Sequence, residues 1–236
     1  METVEEVMTA LEKKGSEQTR KTFARHGAPE AMFGVKVADM KTIAKKIKGN
    51  QELALGLYET GNSDAMYLAG MVADGSQMTK KQLDEWVKAA SWHMLSEYTV
   101  PGVTCENDKA RDLALKWMKS KNEKIASAGW CTYAGIVATR DDADLDLDEV
   151  KGLLVKVEKE IDNAANRVRY TMNGFVIAVG SYVKPLLKEA RKTAKALGTV
   201  ECDMGGTACK VPLATDYIKK IEQRGAVGKK RKTVKC

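Results

Sequence analysis

Four prolines, at positions 29, 101, 185 and 212, are the only prolines in 236 residues rich in Ala, Lys, Leu, Met and Glu. Few breakers, with apolar residues returning every three or four positions, favour helix over strand throughout. No run of alternating β-branched residues argues otherwise. Helix starts are marked locally. Thr79 stands three residues before Gln82 in a capping-box pattern, ahead of Leu83, Trp86, Val87 and Ala90. Asp39 is a candidate cap for a helix carrying Met40, Ile43, Ala44 and Ile47 on one stripe. The pattern predicts about eleven or twelve helices of 9–18 residues with short connections.

Three of these predicted helices are unusually rich in small residues. They open at Asn62, Asn122 and Asn163 and contain Ala69-Gly70-Met71-Val72-Ala73, Ala134-Gly135-Ile136-Val137-Ala138 and Val176-Ile177-Ala178-Val179-Gly180. The last two blocks lie 42 residues apart, within the ~40–47-residue period of paired-helix repeats, whereas Asn62 to Asn122 is 60. Small residues in mid-helix let a neighbouring layer approach closely. Periodicity alone leaves two architectures open, a solenoid of stacked helix pairs and an irregular helical globule.

The net charge of +7 is unevenly distributed. Residues 219–236 hold eight basic side chains and one acid, leaving 31 of each sign in residues 1–218. The reading is one helical domain over 1–224 and a basic, flexible tail over 225–236. Two glycines ahead of Lys229, Lys230, Arg231 and Lys232 suit a mobile arm that binds phosphates by releasing counterions. No stretch approaches the ~20 apolar residues of a membrane span, and the acidic start is unlike a targeting peptide. Five scattered cysteines without a C-x-x-C pair fit reduced thiols, and two histidines cannot build a His-rich metal centre. A cytoplasmic monomer without metal, cofactor or membrane association is expected. Asp142, Asp144, Asp146 and Asp148 alternate, but Leu147 and Leu153 stand where a calcium loop needs glycine and glutamate. That acidic stretch reads as the start of a helix. The cysteines of the Cys202–Cys209 loop are seven positions apart, wrong for a zinc knuckle, leaving a reactive thiol or a structural plug open.

The stretch Met32-Phe33-Gly34-Val35-Lys36-Val37-Ala38-Asp39-Met40-Lys41-Thr42-Ile43-Ala44-Lys45-Lys46 resembles the opening motif of the AlkD-type DNA alkylation repair family. Residues 52–58 and 63–69 are similar to that family's next two helices, and a weaker likeness continues to about Tyr182. The resemblance implies an all-α superhelix of HEAT-like, armadillo-type repeats that holds double-stranded DNA. It also implies an N-glycosylase for cationic bases such as 3-methyladenine or 7-methylguanine. Such an enzyme needs a carboxylate for the developing sugar cation and aromatic faces for cationic groups.

The family's glycosylases carry a tryptophan, an aspartate four residues later, an arginine, and a second tryptophan. In this chain Trp92 is followed at that spacing by Ser96, with Glu97 next. Sliding the register by one pairs His93 with Glu97. Ala128 stands near the expected arginine and Ile177 near the second tryptophan. Trp92, His93 and Glu97 are therefore the catalytic candidates, with His93 and Glu97 facing the same way on a regular helix. The same pair reads equally as an ordinary ion pair, and most of Trp86, Trp92, Trp117 and Trp130 as core. Of the four, Trp92, next to the polar cluster, is the candidate for exposure. Lys41, Lys45 and Lys48 share one helix side, and Arg167 and Arg169 flank a second candidate patch beside Tyr170. These clusters and residues 229–232 are the candidate DNA contacts.

Three functions follow. The first is a DNA-binding relative that recognises alkylated or distorted duplexes with weak or no base excision. The second is a working glycosylase that uses Glu97, and the third is a protein-interaction scaffold.

Overall fold

The computed structural model describes residues 1–235, which form thirteen α-helices, with no β-strand among the described residues. The helices fall into two compact units. The first comprises residues 1–109 with 204–208 and Lys235, and the second residues 110–203 with 209–234.

The first unit contains α1 (Val4–Glu12), α2 (Glu17–Arg25), α3 (Val37–Lys46), α4 (Gln51–Glu59), α5 (Ser63–Val72), α6 (Lys80–Ala89) and α7 (Val100–Thr104). At its centre is α5, where every residue from Ser63 to Gly70 is buried. It packs on α3 and α4, which explains why it is apolar all round while α6 is strongly one-sided. The caps read from sequence form here. The Asn62 carboxamide accepts the Asp64 and Ala65 N–H groups, and Thr79 and Gln82 complete the capping box of α6. Asp39 does not cap α3. The helix begins three residues earlier, at Val37 with Lys36 as its N-cap, and the Asp39 carboxylate meets Lys14 Nζ at 2.9 Å instead.

The second unit contains α8 (Ala110–Trp117), α9 (Glu123–Thr139), α10 (Leu147–Glu160), α11 (Asn166–Tyr182), α12 (Leu187–Leu197) and α13 (Ala214–Gln223). Its two longest helices, α9 and α11, pack along one another, with α8 against α9 and α12 and α13 against α11. Asn122 caps α9, and Asp146 caps α10 ahead of Asp148 and Glu149, as an acidic helix start requires. The small residues serve close approach. A Cβ on Gly129 would lie 2.6 Å from the Met118 nitrogen and 2.8 Å from the Ala114 oxygen. A Cβ on Gly180 would meet the Ile218 side chain at 2.5 Å.

Residues 225–234 of the segment expected as a free arm lie against the second unit, and Cys236 lies outside the described residues. The Gly228 N–H donates to the Ser181 oxygen and the Arg231 N–H to the Ala138 oxygen. Lys230 turns inward, donating to the Val137 oxygen at 2.9 Å and pairing with Asp142 at 2.8 Å. Glycines 225 and 228 adopt positive φ and so act as turns for this course. In the first unit Lys235 donates to the Ala73 oxygen and to Glu106.

Candidate nucleic-acid interface

The motif at residues 33–35 owes its shape to a carboxylate far away in sequence. Gly34 has φ +79°, and a Cβ there would lie 2.7 Å from the Ser16 oxygen, so only glycine suits the turn. The N–H groups of Phe33, Gly34 and Val35 converge on Asp64, at 2.6, 2.8 and 3.2 Å. Asp64 is 2% exposed at the start of α5. Burial pushes its carboxyl above the ordinary range, and the three N–H donors offset part of that rise. This clamp fixes where α3 begins and hence the direction in which its lysines project. The sequence contained the signal, an Asp in the first turn of a helix preceded by its own Asn cap. Its partner was thirty residues away and invisible to local pattern.

Along α3 the side chains divide as its periodicity requires. Met40, Ile43 and the following Ile47 are buried, while Lys41 and Lys45 are exposed on the helix and Lys48, expected on the same helix side, is exposed beyond its end at Lys46; none of the three lysines has an ion pair among the described residues. They form an open cationic edge on the first unit. In the second unit, Arg167 lies 4.3 Å over the Tyr170 ring, which holds the guanidinium in a fixed place. Arg169 is half-buried. Of the tail candidates, Lys230 is spent on Asp142, whereas Lys229, Arg231 and Lys232 are exposed.

The catalytic candidates are placed differently from expectation. Leu95–Thr99 is a π-type turn running into α7, and its wider winding breaks the register of a regular helix. Glu97 is 5% exposed and faces inward, while Tyr98 is turned out at 43%. Trp92, the candidate for exposure among the four tryptophans, is 6% exposed. Its indole N–H donates to the His26 oxygen at 2.8 Å, and its ring lies 5.3 Å from Phe23 and 5.5 Å from His93. His93 is half-buried at the edge of this aromatic cluster. The sequence could not reveal the π-type turn, because a one-residue widening leaves no compositional mark. Trp86, Trp117 and Trp130 are buried as core.

The Cys202–Cys209 segment is anchored rather than loose. The Asn166 carboxamide donates to the Asp203 oxygen and accepts its N–H, and Asn173 donates to the Pro212 oxygen.

The description DNA alkylation repair enzyme is that of the family matching residues 7–196. An uncharacterized protein of Listeria innocua and another of Listeria monocytogenes are each 33% identical over 230 residues, covering 95% of this chain and 99% of theirs. A solved structure is 39% identical and superposes with a TM-score of 0.91, over 99% of this chain and 100% of that one. It comes from a family described as related to the HEAT-like repeat DNA glycosylases, with affinity for branched DNA structures.

Proposed function

Given that the chain belongs to the DNA alkylation repair enzyme family and has its HEAT-like helical fold, we propose that it binds distorted or branched duplex DNA with weak or no base excision. The binding half of this reading is supported by the 39% identical relative, alike over 99% of the chain, whose own family has affinity for branched DNA. Its cationic contacts are Lys41 and Lys45 on α3 and Lys48 just past its end, with Arg167, Arg169, Lys229, Arg231 and Lys232 in the second unit. These side chains hold phosphates and carry no base information by themselves.

The observation that carries the other half is the burial of Glu97. A glycosylase must aim a carboxylate at the sugar cation as the base departs. At 5% exposure this carboxylate is drawn into the fold rather than presented to a bound duplex, and the Trp92 indole N–H is already bonded to the His26 oxygen. Neither Ala128 nor Ile177 supplies the missing arginine or second tryptophan.

Two measurements on the full chain test the reading. In gel-shift titrations, a four-way junction should be bound more tightly than a linear duplex of equal length, with affinity falling steeply as salt rises. Equal affinity for both, or none for either, would overturn the binding half. In the second, methylated DNA is incubated with the protein and released 7-methylguanine is counted. Release at the spontaneous rate is expected, and release abolished by Glu97→Gln would restore the glycosylase.

A further inference from the structure

A cavity of about 340 Å³ opens in the first unit between α2 and the start of α3, lined by Gln18, Thr19, Thr22, Phe23, Lys36 and Val37. Its composition is divided. Phe23 is half-buried and lines one wall, and its ring lies 5.3 Å from that of Trp92 in a tilted pair. Trp92 is itself held by its indole N–H donating to the His26 oxygen, so the ring beside Phe23 is fixed in place. Neither threonine hydroxyl lacks a bond. Thr19 accepts from Ser16 Oγ, and Thr22 donates to the Gln18 oxygen. They therefore place no unmet polar demand on whatever enters.

Two polar groups at the rim are uncommitted. Neither the Gln18 carboxamide nor the Lys36 ammonium has a side-chain partner among the described residues, and both residues are exposed. Lys36 is also the N-cap of α3 and offers no side-chain acceptor to the first N–H groups of that ten-residue helix. The lysine charge and the helix dipole thus favour an anion at the same rim.

An aromatic wall, a free carboxamide and a cationic edge together match one chemical class, a nucleotide. We infer that this cavity takes an unpaired nucleobase of DNA. The base stacks on Phe23, its polar edge meets the Gln18 amide, and an adjoining phosphate is held by Lys36 at the head of α3. Stacking suits this use because every base has a π-face, whereas an intact duplex keeps its bases inside. A branched or gapped substrate supplies such a base at its junction, so the inference rests on the DNA-binding reading above.

The probe is a short single-stranded thymidine oligonucleotide with one central 2-aminopurine, titrated into the full-length protein and read by fluorescence. A saturable change is expected. Phe23→Ala should weaken it by roughly tenfold or more, and Phe23→Tyr should retain it. Lys36→Ala should weaken binding and lower the log–log salt slope by about one, leaving the fluorescence of the bound state unchanged. Phe23 packs on Trp92, so Gln18→Ala, at an exposed position, is the variant least able to disturb folding, and it should also weaken binding. No fluorescence change with the unmodified protein, or unchanged affinity in both Gln18→Ala and a folded Phe23→Ala, would overturn the inference. Junction gel shifts run in parallel keep the two ideas separate. Junction binding without a 2-aminopurine signal refutes the cavity alone, and a signal without junction preference refutes the branched-DNA reading alone.

Discussion

Asp64 and Gly34 show how much of the first unit's form depends on single residues. Three N–H donors of one turn point at one buried carboxylate, and the turn's φ of +79° excludes a Cβ. Removing the acceptor leaves those donors in a dry environment, and a single unsatisfied buried group already costs about 1–3 kcal/mol. Asp64→Ala should therefore lower unfolding stability by about 3 kcal/mol or more, as read from urea denaturation. An unchanged midpoint would show that the turn forms without its clamp. Tyr58 and Tyr133 make a second case. Burial drives both phenols well above their ordinary range, and the Tyr133 hydroxyl also bonds to Glu149. A group raised on folding gives stability that is complete below its unfolded pKa of about 10 and declines as pH rises past it. Alkaline titration followed by tyrosine absorbance should show these two phenols ionising only as the chain unfolds.

The helices show where local pattern is sufficient and where it is not. Asn62, Thr79, Asn122 and Asp146 were legible as caps because a cap and its N–H partners lie within three residues. Helix α11 has no such local cap. The third asparagine, Asn163, sits in a turn before it, and Ala165 at its N-cap offers no acceptor. The first turn is satisfied from another helix, since the Arg167 N–H donates to the Glu123 carboxylate at 2.6 Å. That substitution could not be read from residues 163–167. The small-residue blocks were legible as sites of close approach, but not their partners. At Gly129 the neighbour is the backbone at the end of α8, which cannot rotate aside as a side chain would. Gly129→Ala should cost about 1–3 kcal/mol by overpacking, seen as a lower thermal midpoint, whereas Gly152→Ala, facing open space on α10, should be neutral or stabilising.

For the whole molecule the arrangement of charge matters more than its sum. A tail read as a free arm has Lys230 bonded inward, so Lys229, Arg231 and Lys232 are presented from an anchored strip. An anchored cation gives up less conformational freedom when a phosphate binds than one on a mobile chain. On the first unit, the unpaired Lys41 and Lys45 of α3 and Lys48 just after it are the clearest phosphate contacts. Substituting Lys41, Lys45 and Lys48 together by alanine should reduce junction affinity and lower the salt slope by about 2.7, at roughly 0.9 per phosphate. Unfolding stability should stay unchanged, because none of the three is paired or buried. An unaltered slope would place the DNA elsewhere.

Helical class, most helix starts, the apolar stripes and the family likeness were fixed by residues near one another along the chain, where periodicity and capping act within a few positions. The inward turn of Glu97, the burial of Trp92, the anchoring of the tail and the Phe23 cavity were decided by contacts between distant segments. No local pattern encodes them, because a side chain's exposure depends on what another part of the chain places over it.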